Sequence, residues 1–90
     1  MANRMLPVGA IALGREMVLA DRAAAQARAA GHYDLVAAWE AYREQIAMWR
    51  FLMLRGMPVA VGWCRQCHHV SDWSGRTTCP VCAWAPEDAA

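Results

Sequence analysis

Lysine is absent from this 90-residue chain: all nine basic residues are arginine, set against eight acidic ones. The formal charge is +1 with neutral cysteines, which leaves no basic surplus for holding a generic polyanion. Long hydrophobic runs are missing as well, since no stretch approaches the ~18 uncharged apolar residues of a transmembrane helix. Residues 5–14 are apolar behind Arg4, like a short secretory h-region. Arg15 and Glu16 interrupt them and no clear cleavage site follows, so no signal peptide is expected. Recognisable catalytic groupings are lacking too: there is no Ser/His/Asp set, phosphate-binding glycine loop or paired-carboxylate motif. The chain is therefore expected not to be an enzyme. Its length suits one small domain, or a small domain with a minidomain attached, and such a chain has a thin core.

What the chain does have is four cysteines in two C-x-x-C pairs, Cys64/Cys67 and Cys79/Cys82, with eleven residues between the pairs. Each C-x-x-C turn aims two sulfurs at one point. Two such turns supply the four thiolates of a tetrahedral zinc site, and Zn²⁺ is the expected cofactor. Disulfides or separate redox pairs are the alternatives from the same residues. A structural zinc contributes on the order of 10–16 kcal/mol of apparent binding free energy coupled to folding, which supplements a thin core. Four thiolates and a dication together lower the formal charge by two, to −1. His68 and His69 stand beside the cysteines, but four sulfurs already saturate a tetrahedral site, and a closed set leaves no position for a catalytic water. This cysteine usage fits a reducing cytoplasm.

The first half reads as helical. Pro7 suits the first turn of a helix, and the alanine-, leucine- and arginine-rich stretch that follows runs to Ala30. Leu6, Ala10, Leu13, Met17, Ala20, Ala24 and Ala27 repeat at four- and three-residue steps, with Gly31 placed to end the helix. A second helix is expected from an Asp34 N-cap to about Arg55, stopped by Gly56 and Pro58. Its stripe is Leu35, Trp39, Tyr42, Ile46, Trp49 and Met53. Folding back at 31–34 sets Ala24 near Trp39 and Ala20 near Tyr42, small residues against large ones in an antiparallel hairpin. Glu40, Arg43 and Glu44 form a solvated outer face. At the open end of the hairpin, Ile11, Val18, Met48, Phe51 and Leu52 point away from the seam and form a candidate interaction surface.

From Gly62 the pattern becomes short and turn-rich. Trp63-Cys64 and Val70 suggest a β-hairpin, Ser74-Gly75 a turn, and Thr77-Thr78 the approach to the second pair. Residues 62–84 resemble the rubredoxin-like zinc ribbons, most of all the short form found in RadA-type recombination proteins and LapB-type regulators. The shared features are an aromatic before the first cysteine, a Trp-x-Gly-like middle, Cys-Pro-x-Cys, and a tryptophan two residues after the last cysteine. The resemblance implies a metal-clipped interaction or scaffolding element with Cys64, Cys67, Cys79 and Cys82 as ligands. Those families usually carry glycine after each cysteine pair, where this chain has His68 and Ala83. Residues 31–46 also resemble the turn and second helix of a tetratricopeptide repeat, over one helix only. A solenoid needs about three repeats, so an isolated hairpin is expected.

Together these readings give a small α+β protein: a two-helix hairpin over 1–57, a rubredoxin-like zinc ribbon over 58–86, and a tail over 87–90. The expected role is a zinc-binding protein-interaction module, with a protein partner or a second copy on the apolar hairpin end. Two alternatives remain: a nucleic-acid or transcription-machinery binder, which the charge does not favour, and rubredoxin-type electron transfer through iron. Trp63, Trp73 and Trp84 are expected to build the miniature core of the ribbon and dock it on the helices, rather than to form a base-stacking platform.

Overall fold

The computed structural model describes residues 5–74 and 79–84. The element order is β1 (Met5–Pro7), α1 (Ala10–Ala29), α2 (Tyr33–Leu54), β2 (Val61–Cys64), β3 (Val70–Asp72) and α3 (Pro80–Trp84). The chain divides into two compact units. One is the helical pair, Gly9–Pro58, and the other joins the N-terminal strand to the chain from Val59 onward. The fold is α+β, as expected. Among the described residues no helix is long and apolar enough to cross a membrane.

In the helical unit, α1 and α2 form the antiparallel hairpin. The seam is lined by the buried Leu13, Ala20, Ala24 and Ala27 of α1 and by Val36 and Ile46 of α2. Trp39, Tyr42, Trp49 and Met53 are half-buried along it. Alanines on one helix let the backbones approach, and the larger side chains of the other fill the space. The expected stripe is shifted at its start, since Leu35 is 46% exposed while Val36 is 5%. Val36, Trp39, Tyr42, Ile46, Trp49 and Met53 still keep three- and four-residue spacing, so the period was right and its first member was off by one. Cross-helix links fix the register. Arg28 pairs with Glu40 at 3.1 Å and Arg43 with Asp21 at 3.1 Å, both exposed. Arg50 Nε donates to the Ala10 carbonyl at the open end, 3.1 Å away.

Both helices end on a left-handed glycine. Gly31 (φ 78°) donates to the Arg28 carbonyl, and His32 N–H reaches back to Ala27 at 2.9 Å. Gly56 (φ 75°) and Met57 repeat the pattern on Met53 and Leu52. This paired closure satisfies the orphan carbonyls of a helix end. It also starts α2 earlier than expected. The His32 carbonyl accepts from Leu35 and Val36, so His32 is the N-cap residue and Asp34 lies in the first turn. There its carboxylate still favours the positive end of the helix dipole.

In the other unit the sheet order is β1-β2-β3, antiparallel throughout. The β2–β3 hairpin was expected; β1 was not. Leu6 and Pro7 lie in this strand rather than at the start of the first helix, which begins at Ala10. Pairing of Leu6 with Trp63 and Pro7 with Gly62 competes with helix extension, and proline is tolerated on an edge strand. Gly62 makes that pairing possible. A Cβ there would collide with the Met5 side chain and stand 3.2 Å from the Leu6 carbonyl oxygen. Gly75, Thr77, Thr78 and the tail 86–90 lie outside the described residues.

Candidate metal centre

Each cysteine pair sits at the end of a strand or the start of a helix, and local hydrogen bonds fix its geometry. Cys64 ends β2, and the chain turns through Arg65 and Gln66 to Cys67. The Cys67 N–H lies 3.5 Å from the Cys64 sulfur. His68 N–H donates to the Cys64 carbonyl at 2.9 Å, and Cys64 N–H donates to His69 at 3.0 Å. The turn is completed by His68 at φ 61°, a left-handed conformation more natural to glycine. Histidine thus adopts a glycine-like conformation without preventing the turn. Its ring lies against Trp63, centroids 5.2 Å apart.

The second pair uses a helix start. Pro80 occupies the first position of α3, where a missing N–H costs nothing, and Cys82 N–H lies 3.5 Å from the Cys79 sulfur. Cys79 therefore receives a donor at the head of α3 much as a capping oxygen would.

The four sulfurs converge, all lying within 4.8 Å of one another. Cys64 and Cys82 Sγ are 3.8 Å apart, and Cys67 and Cys79 Sγ 3.7 Å. Four sulfurs each ~2.3 Å from a common centre stand about 3.8 Å apart, so these distances fit a tetrahedrally held dication. Cys64 and Cys79 are fully buried, with Cys67 and Cys82 half-buried. Trp73, 4% exposed, packs with Cys64 and Cys79 and closes one side. Asp72 Oδ1 accepts from Ser74 N–H at 2.9 Å and Ser74 Oγ–H at 2.6 Å, which holds the chain as it leaves β3.

The electrostatics suit a cation. Burial raises the Cys64 thiol, but donation from the backbone N–H groups of Cys67 and Gln66 outweighs it, lowering the group from 9.0 to about 7. Cys67 is pushed up to about 12 by burial and by the neighbouring thiols, against the His69 N–H. Burial and the Cys64 sulfur raise Cys82 as well. Without a positive charge among them, these groups cannot all ionise; a dication reverses that logic and fixes all four as thiolates.

The expected metal ligands are thus brought together, Cys64, Cys67, Cys79 and Cys82 alike. The expected surface residues fall on the helical unit: Ile11 is 76% exposed, Val18 50%, Met48 58% and Phe51 57%, while Leu52 is half-buried. Sequence reasoning missed β1, whose partner strand lies more than fifty residues along the chain. It also left open how a histidine could follow the first pair. Arg76 and the side chain of Trp84 lie outside what is described. A scan of family models and searches of curated proteins and of solved structures return no match for the chain.

Proposed function

We propose that this chain is a zinc-clipped protein-interaction module without enzymatic activity, working in the reducing cytoplasm. The observation that carries the reading is the convergence of four cysteine sulfurs at tetrahedral spacing, a closed ligand set suited to structure rather than catalysis. In this reading the cysteine unit is a rubredoxin-like ribbon, and zinc stabilises it. The interaction surface is the apolar open end of the hairpin, where Ile11, Val18, Met48 and Phe51 are at least half exposed and Leu52 flanks them. Methionine there suits an adaptable contact.

Nucleic-acid binding is disfavoured by the balanced charge and by Trp73, whose burial removes it from any base-stacking role. Electron transfer would need iron in the same four-sulfur site, and colour separates the two: a zinc protein is colourless, an oxidised iron protein red. Elemental analysis should find one zinc per chain, lost on Cys79→Ser. Phe51→Glu should leave a folded, zinc-loaded protein that has lost self-association or partner binding. Unfolding of a Phe51→Glu variant whose parent sediments strictly as a monomer would assign the residue to the core instead.

A further inference from the structure

The burial of the four sulfurs alternates with position: Cys64 and Cys79 are fully enclosed, while Cys67 and Cys82 reach solvent. All four sulfurs lie within 4.8 Å of one another, and two of the contacts run between the two pairs. Half-buried Cys82 lies 3.8 Å from buried Cys64, and half-buried Cys67 lies 3.7 Å from buried Cys79. Each accessible sulfur therefore has an inaccessible one beside it, donated by the other C-x-x-C turn. Peroxide-sensitive thiol pairs need this arrangement of one sulfur open to attack and a second within reach to resolve the product.

We propose that the four cysteines form a redox-sensitive switch, in which a peroxide joins Cys64 to Cys82 and Cys67 to Cys79 and so releases the metal. The inference rests on the metal-binding reading above. In each half, the half-buried thiolate attacks the peroxide O–O bond, gives a sulfenic acid, and expels hydroxide, which leaves as water on protonation. The buried thiolate then attacks the sulfenic sulfur, forming the S–S bond and expelling a second hydroxide that also leaves as water. Each disulfide consumes one peroxide and two protons and yields two waters, with sulfur oxidised and peroxide oxygen reduced. Both halves together consume two peroxides and four protons. Closing each pair to the ~2.05 Å of an S–S bond removes the charge and the geometry that hold a dication. The half-buried positions of Cys67 and Cys82 make the reaction available without unfolding, and a dithiol reductant restores the four ligands.

The test treats the metal-loaded full chain with hydrogen peroxide under native conditions while a chromophoric chelator reports free metal. Release of one metal equivalent for two of peroxide is expected, with a mass about 4 Da below the fully reduced chain. Trypsin cuts after Arg55, Arg65 and Arg76 and so separates Cys64, Cys67 and the Cys79/Cys82 segment onto three peptides. Cross-pairing links all three, and fragmentation between Cys79 and Cys82 distinguishes the two ways of cross-pairing. The proposal requires Cys64–Cys82 with Cys67–Cys79. A urea-unfolded control should instead favour Cys64–Cys67 and Cys79–Cys82, whose loops are the shortest to close. Recovery of those neighbour pairs from the native chain overturns the proposal. So does Cys64–Cys79 with Cys67–Cys82, or retention of metal and free thiols in excess peroxide. A chain that neither carries nor takes up metal defeats the metal-binding reading instead, and its native disulfide pairing then tests the sulfur geometry separately.

Discussion

His68 is where the local chemistry of this chain is most exposed to test. Its φ of 61° lies in the left-handed region, which costs a side-chain-bearing residue about 1–2 kcal/mol, and histidine tolerates it better than most. The Trp63 ring beside it and the hydrogen bond to the Cys64 carbonyl hold it there. His68→Val should destabilise the metal-loaded cysteine unit by about 1–2 kcal/mol, because a β-branched side chain fits this conformation worst. His68→Gly should stay within about 1 kcal/mol of the parent, relief of strain offsetting the lost ring contact and greater chain entropy. Thermal unfolding of the loaded proteins measures both. Equal stability of the valine and glycine variants would mean that the turn does not depend on a left-handed residue. The sequence displayed the unusual residue; the conformation it adopts came from the hydrogen bonds that close the turn.

At the scale of elements, the hairpin was legible because its signals are short-range. Alanine-rich helices, a three-and-four spacing and glycines at 31 and 56 all act within a few residues of chain. The edge of the seam was less legible, since Leu35 and Val36 are both apolar and only the angle at which α2 leaves the turn decides which is covered. Val36→Ala should cost about 1–3 kcal/mol, and Leu35→Ala, at a 46% exposed position, no more than about 0.5. Ala24, 7% exposed in the seam, gives the complementary test: Ala24→Leu adds bulk to filled space and should cost about 1–3 kcal/mol. Chemical denaturation of the three variants checks the assignment. A larger loss at Leu35 than at Val36 would return the seam to the earlier register.

Across the whole molecule, metal removal should act unevenly on the two units. The helical pair has its own buried seam, whereas in the cysteine unit, beside Val61 and Val70, the buried cluster is Cys64, Cys79 and Trp73, two of its three members being metal ligands. Chelation should therefore abolish the environment of Trp73 while leaving most far-UV helical signal, and simultaneous loss of both would show a single cooperative unit. The response to pH follows from the thiols. A group lowered from 9.0 to about 7, as Cys64 is, contributes stability to the metal-free fold above pH 9 and loses it as pH falls towards 7. Cys67, raised to about 12, contributes below pH 9 and loses that contribution as pH rises towards 12. Near neutrality a metal must displace the protons of Cys67 and Cys82 at least. Apparent metal affinity should thus climb by at least about 100-fold per pH unit between about pH 7 and 8.5, as read by competition with a chromophoric chelator. A flat profile would exclude thiolate ligation.

The sequence by itself determined the ligand set, the helical pair and the turn that joins its helices. Each is specified by residues close in the chain: two C-x-x-C spacings, a periodic stripe, and glycines free to adopt positive φ. Tertiary structure alone decided that Met5–Pro7 is a strand, because its partner Val61–Cys64 lies more than fifty residues away and no local propensity announces that pairing. It also decided how the two turns meet. Spacing brings together Cys64 with Cys67 and Cys79 with Cys82. The folded chain in addition sets Cys82 3.8 Å from Cys64 and Cys79 3.7 Å from Cys67, with all four sulfurs within 4.8 Å of one another. Spacing fixes which sulfurs can converge, and the packing of β2 and α3 against Trp73 fixes how they meet.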